Sequence, residues 1–227
     1  EPGVVTEFTY YLKPEDTSGF DRLAVESAAP VHFMSITRNG VELDVLMDTI
    51  PKGFFVDLPN RIRTDQLIEL KFESSVFRQS TRFDVFLQDR NQGDSVRQRV
   101  DPGDASDQIE SNTNIVSLPV NRNLFANIAL SSPVLTPNGD GINDEIQLSV
   151  DLVNVLEPRP LRLRLYDLAG RAVYNRSEDV RAGQRQFNWD GNDDGGNRVA
   201  PGIYILEILV EGDAANERVQ EIISVVY

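Results

Sequence analysis

Leu161-Arg162-Leu163-Arg164-Leu165 is the stretch on which the reading of this chain turns. Apolar and charged side chains alternate with a period of two, which puts the leucines on one face of a β-strand and the arginines on the other. The pattern recurs upstream, where Phe83, Val85 and Leu87 alternate within Arg82 to Gln88, and Leu67 to Phe72 forms another short apolar segment. Turn signals punctuate these runs at intervals of roughly eight to twelve residues, the spacing of layered antiparallel sheets. They include Arg38-Asn39-Gly40, Pro51-Lys52-Gly53, Asn91-Gln92-Gly93 and Gly212-Asp213. No segment has the 3.6-residue periodicity and caps of an amphipathic helix. The chain reads as all-β.

With 227 residues it is long enough for two cores. The break falls near Asn121 to Phe125, where a polar, turn-rich stretch from Asp101 gives way to a new strand series at Asn127. Residues 101–114 read as a long loop or a hairpin of the first domain. The expected organisation is two β-sandwich domains in tandem, 1–122 and 123–227. The first offers strands near 4–12, 21–27, 31–37, 41–47, 53–58, 66–74, 80–89 and 113–120. The second offers 127–135, 145–153, 161–167, 171–176, 184–189, 202–210 and 217–226, a strand count and size typical of an immunoglobulin or fibronectin-III type sandwich.

Composition removes several classes of function. The net charge is −14, with acids exceeding bases in both halves, so the surface repels nucleic acid phosphates and anionic lipid. No apolar run approaches the roughly 20 residues of a membrane-spanning helix. Cys is absent, which excludes disulfides, thiolate metal sites and cysteine nucleophiles. With one His and three Lys, the usual general bases and activated nucleophiles are scarce. His32 lies between Val31 and Phe33, so alternation places it on the opposite, solvent-facing side. Glu69 with Glu73, and Asp84 with Asp89, are carboxylate pairs of the kind glycoside cleavage uses, but strands this charged ordinarily solvate a face. No catalytic residue and no organic cofactor site is expected. The start at Glu1, with neither initiator Met nor an apolar leader, reads as a processed product or a piece of a larger protein.

Two acidic loops carry what chemistry there is. In Thr136-Pro137-Asn138-Gly139-Asp140-Gly141-Ile142-Asn143-Asp144, glycines alternate with oxygen-bearing side chains. Gly139 and Gly141 allow a short loop to curl back on itself. Asn138, Asp140, Asn143 and Asp144 then offer side-chain oxygens, and Ile142 its carbonyl, to a hard cation such as calcium. A plain solvated turn is the other reading. Asp190-Gly191-Asn192-Asp193-Asp194-Gly195 resembles the opening half of a calcium loop but lacks the distal glutamate and flanking helices, so a hairpin turn is preferred. Trp189, the only tryptophan, ends a strand in which Phe187 points the same way, and is read as a core anchor.

Taken in order, these two loops and Leu163-Arg164-Leu165-Tyr166-Asp167-Leu168-Ala169-Gly170-Arg171-Ala172-Val173 resemble the FlgD-type immunoglobulin-like domain. The third loop continues to Val199-Ala200-Pro201-Gly202-Ile203-Tyr204. About residues 125–227 are similar, too, to the gliding-motility-associated C-terminal domain carried by cargo of the type IX secretion system. The chain departs from the gliding-type pattern at Leu168-Ala169-Gly170, where that group usually has Arg-Trp-Gly. The resemblance implies a terminal domain read by export machinery, and an extracellular or cell-surface bacterial location. The expected role is therefore non-enzymatic: a stalk, anchor or assembly module from the C-terminal end of a larger protein, stiffened by calcium. Its partners would be other domains of the same protein, the export machinery or further copies of itself. Two alternatives stand: a carbohydrate-binding or adhesive module, which needs exposed aromatics in a row on the first domain, and a scaffold of the flagellar-hook type, implied by the FlgD likeness alone.

Overall fold

Period-two patterning becomes strand pairing throughout the computed structural model, which describes residues 1–15, 19–63, 66–92, 96–119, 123–212 and 216–227. The chain divides into two compact units, the first ending at Pro119. Residues 120–122, on which the expected boundary falls, lie outside the described residues, as do Gly93 and Asp213 of the turn signals. Among the described residues the only helical element is a single 3-10 turn at Arg90–Gln92, and no helix is long and apolar enough to cross a membrane.

The first unit contains β1 (Val5–Leu12), β2 (Phe20–Ser27), β3 (Val31–Arg38), β4 (Val41–Glu42), β5 (Leu46–Ile50), β6 (Gly53–Ile62), β7 (Ile68–Ser75), β8 (Ser80–Gln88), β9 (Arg97–Arg99) and β10 (Ile115–Ser117). One sheet has the order β1-β7-β3-β4, and the other β10-β8-β2-β6-β5 with β9 also on β8. Aromatic rings join the two layers. Phe72 of β7 lies 5.1 Å from Phe83 of β8 and 6.5 Å from Phe54 of β6, centroid to centroid. All three are buried, and tilted ring pairs add to the stabilisation that area burial alone gives. Phe55 and Phe86 do not join this cluster. They face outward, covered by the guanidinium groups of Arg22 and Arg97 at 3.9 and 4.0 Å from the ring centres.

The strand expected at 41–47 is two short strands in different sheets, β4 and β5. The two-residue turn Asn39-Gly40 takes φ of 48° and 78°, the left-handed geometry that matches hairpin twist. The strand expected at 113–120 shortens to β10, because residues 101–113 leave the edge of the sheet. Val100 N–H donates to Val85 O at 2.8 Å, and Phe83 N–H donates to Asn114 O at 2.9 Å. β9 and β10 are therefore one edge strand along β8, interrupted opposite Asp84.

The second unit contains β11 (Phe125–Leu130), β12 (Val134–Leu135), β13 (Ile146–Leu152), β14 (Arg159–Asp167), β15 (Ala172–Val180), β16 (Gly183–Trp189), β17 (Gly202–Glu211) and β18 (Asn216–Val225). Its sheets run β11-β13-β16 and β12-β18-β17-β14-β15. Leu161, Leu163 and Leu165 are buried, as the alternation requires, against Leu206, Ile208 and Leu148 in one core. The strand expected at 127–135 splits. Asn127 takes φ 47° at a bulge in β11, Pro133 has no N–H to donate, and the chain changes sheets there, pairing β12 parallel to β18. Every other paired strand is antiparallel. Both units are β-sandwiches, the second immunoglobulin-like.

Candidate functional site

The three motif loops meet at one end of the second sandwich. Ile146 of β13 pairs with Trp189 of β16, and Asp167 of β14 with Tyr204 of β17, so the connections at 136–145, 168–171 and 190–201 leave from the same strand ends. Side chains of the 190–201 connection then bond it to β15 and to the 136–145 loop. Asp194 Oδ1 accepts the Asn175 N–H at 2.9 Å, and the Arg198 guanidinium donates to Pro137 O. Trp189, 2% exposed, donates its indole N–H to Asn192 O at 2.8 Å and meets Tyr204 edge to face at 6.0 Å. The anchoring role read from its position holds.

Within 136–144 the side-chain oxygens turn back on the loop itself. Asp144 accepts the N–H groups of Gly139 and Gly141, each at 2.7 Å. Asp140 Oδ1 accepts the Ile142 N–H at 2.8 Å, and Asn138 Oδ1 accepts the Asp140 N–H at 2.9 Å. Asp140 Oδ2 takes the Asn138 amide at 3.1 Å, and the Ile142 carbonyl accepts the Thr136 hydroxyl at 2.9 Å. Asn143, at φ 53°, contributes its carbonyl to Thr136 N–H at 2.8 Å. Gly139 and Gly141 take φ of 86° and 84°, the curl their sequence positions suggested. The residues proposed as metal ligands are thus brought into one loop, where each of these oxygens already accepts one hydrogen bond. Among the described residues no three His, Cys, Asp or Glu side chains gather as a cation cage.

Amide donation fixes the electrostatics. The N–H groups of Gly139 and Gly141, with a smaller contribution from the Arg198 charge, hold the Asp144 carboxyl below the usual carboxylate range. A depressed folded pKa means that the stabilisation is complete above the unfolded value, about 3.9 for Asp, and is lost as pH falls through the folded value. Asp144→Asn is therefore expected to lower the melting temperature of the second domain at pH 7. Its difference from the native chain should shrink below about pH 4, the ordinary carboxylate pKa. Thermal melts of both proteins from pH 3 to 7 check this.

The other acidic loops use the same device. Asp167 accepts the N–H groups of Arg171 and Ala169, and Gly170 N–H closes the turn onto Asp167 O. Asp190 Oδ1 accepts the Asn192 N–H, and Asp193 Oδ1 those of Gly195 and Asn197. An Asn192–Arg198 bridge makes this segment the hairpin turn expected. Sequence reasoning missed Glu217, whose carboxylate accepts the N–H groups of Leu124 and Phe125 where β11 begins. Nothing local marks a glutamate so distant in the chain as a backbone cap.

In the first unit His32 is exposed, as alternation predicts. Glu73 pairs opposite His32 and Glu7 on a strand face, and Asp89 accepts the Asn91 N–H and is ion-paired with Arg61. Glu69 stands opposite Tyr11 and Thr37 in the sheet, and Asp84 accepts the Asn114 amide. Among the described aromatics Tyr227 alone is exposed, so the first unit presents no row of exposed rings.

Residues 128–225 match the model of the CHU_C type IX secretion signal domain. The second unit is thus similar to type IX secretion domains, as its three motif segments predict. No curated protein is matched. Solved structures similar to the chain include FlgD from P. aeruginosa, at 22% identity over 48% of this chain and 76% of that one, with a TM-score of 0.30. PorZ of the Porphyromonas gingivalis type IX secretion system is 18% identical over 44% of this chain, with a TM-score of 0.29. Dimeric latent PorU from the same organism is 9% identical over 98% of this chain, with a TM-score of 0.37. The chain spans only 11% of PorZ and 18% of PorU.

Proposed function

We propose that the second domain is the export address of a type IX secretion cargo and that the first domain is part of what it delivers to the bacterial surface or medium. The observation that carries this reading is the match over 128–225, which spans all three loop segments gathered at one end of the sandwich. That end suits recognition by a partner. Its loops are stiffened by carboxylate-to-amide bonds, while Ile142 and Leu168, at 66% and 71% exposure, project from them. The role is structural and non-enzymatic, in line with an exposed lone histidine and the absence of cysteine.

Expression in a bacterium with a working type IX system tests it. The full chain, behind an inner-membrane leader, should reach the surface or medium, while a chain ending at Pro119 should remain in the periplasm. Equal export of both would overturn the reading.

The proposal includes calcium at Asn138, Asp140, Ile142, Asn143 and Asp144. Charge supports it: Asp140 and Glu145 have no ion pair among the described residues, and each carboxylate oxygen keeps a lone pair beyond the N–H it accepts. A ligand bound only by the folded state must stabilise it. The native chain should melt higher in calcium than in chelator, and Asp140→Ala should lose that difference. Identical native melts leave a self-capped loop without an ion.

A further inference from the structure

The interrupted edge strand of the first domain builds something the sandwich itself does not require. Val100 and Asn114 bond to β8 at Val85 and Phe83, so the edge would close with the intervening segment removed. Residues 101–113 instead swing out, almost wholly exposed and held by little more than Ile109 N–H to Ser106 O at 3.0 Å. Loops of this length without secondary structure are uncommon in compact domains and, when present, tend to serve a function. This one walls a cavity of about 510 Å³ against β1, the edge strand of the opposite sheet. That volume lies within the range of small-molecule sites.

We infer that this cavity binds a mono- or disaccharide. Three features of the lining support that class of ligand. Its charges are mixed, with Glu15, Asp101 and Asp104 set against Lys13 and Arg99. A phosphate or nucleic acid site needs a basic excess, and a cation site needs oxygens without competing cations. Hydroxyls, which donate and accept, fit a wall that does both: the carboxylates and the amides of Gln98 and Asn114.

The second feature is Asn114, only 7% exposed. Its amide donates to Asp84 Oδ1 at 3.3 Å, but its carbonyl oxygen has no partner among the described residues. A buried acceptor without a donor is costly, and a ligand hydroxyl offsets that cost. The third is Tyr10, half-buried in the cavity lining rather than displayed as a surface platform, while its neighbour Tyr11 points to the other face of β1. A single ring placed this way suits one or two enclosed sugar units, not the flank of a polymer. Burial, with the Asp84 and Asp101 carboxylates, pushes the Tyr10 hydroxyl up to about 12, so it stays a neutral donor at any physiological pH.

The experiment uses the full chain with a panel of neutral mono- and disaccharides, read by saturation-transfer NMR and calorimetry. At least one sugar should bind with a Kd of about 1 mM or tighter. Asp101→Ala with Asp104→Ala should weaken it about tenfold, or 1.4 kcal/mol, at an unchanged melting temperature. Asp107→Ala, outside this cavity's lining, serves as the control and should bind as the native chain does. Failure of every sugar to bind overturns the inference. So does binding that survives the double substitution, or a site filled by short peptides in place of sugars. None of these outcomes bears on export, which rests on the other domain.

Discussion

Trp189→Ala should sharply lower the denaturation midpoint of the second domain. The substitution removes a side chain that is 2% exposed, an edge-to-face contact with Tyr204 and an indole hydrogen bond to Asn192 O. Truncations of this kind cost about 3–5 kcal/mol, a large part of the total stability of an ordinary domain. The loss extends beyond volume, because Asn192 opens the hairpin that carries Asp194 and Arg198, which bond it to Asn175 of β15 and to Pro137 of the 136–145 loop. Trp189→Phe separates the contributions. It keeps a ring in the core and leaves Asn192 O without its donor, a loss of about 1–2 kcal/mol. Urea titrations followed by near-UV circular dichroism should rank native, Phe and Ala in that order. A native-like midpoint for Trp189→Ala would mean the core does not depend on this ring.

Gly53→Ala is expected to be the most damaging single-methyl change in the first domain. A Cβ at that position would lie 1.8 Å from Val25 O and 2.9 Å from its carbonyl carbon. Both are backbone atoms of β2, paired to β6 at Glu26–Gly53, and cannot swing aside as a side chain can. Relief requires the two central strands to part at the turn, at a cost of about 3 kcal/mol or more, the upper end for overpacking. Gly40→Ala is the matched comparison. There nothing lies within 4 Å of the added atom, and only the φ of 78° is strained, costing about 1–2 kcal/mol. Denaturant midpoints of the two variants should differ in that sense; equal midpoints would show that β2 and β6 yield easily.

These cases show where sequence reading succeeds and where it stops. Leu161 to Leu165 could be placed on a buried face because strand periodicity is local, and Asn39-Gly40 could be placed in a hairpin because its φ demand is local too. Gly53 was legible as a turn glycine but not as a point of close approach, since the atom it must clear belongs to another strand. The excursion at 101–113 was legible as irregular chain. That its two flanks form one interrupted strand depends on non-local pairing with β8. The acidic loops mark the sharpest limit. Asn138, Asp140 and Asp144 have the same composition whether their oxygens face an ion or the loop's own amides, and only the backbone path distinguishes these. Glu217 capping Leu124 and Phe125 was beyond reach for the same reason.

The parallel pairing of β12 with β18 bears on mechanics. Ser224 N–H donates to Pro133 O and Val226 N–H to Leu135 O, each at 2.9 Å, next to the last residue of the domain. Tension applied between the domain's two ends drags these neighbouring strands in opposite directions along their common axis. The bonds then bear the load together, as a lap joint does, instead of peeling one after another. Any pull applied through these two ends is met at the seam best oriented to resist it.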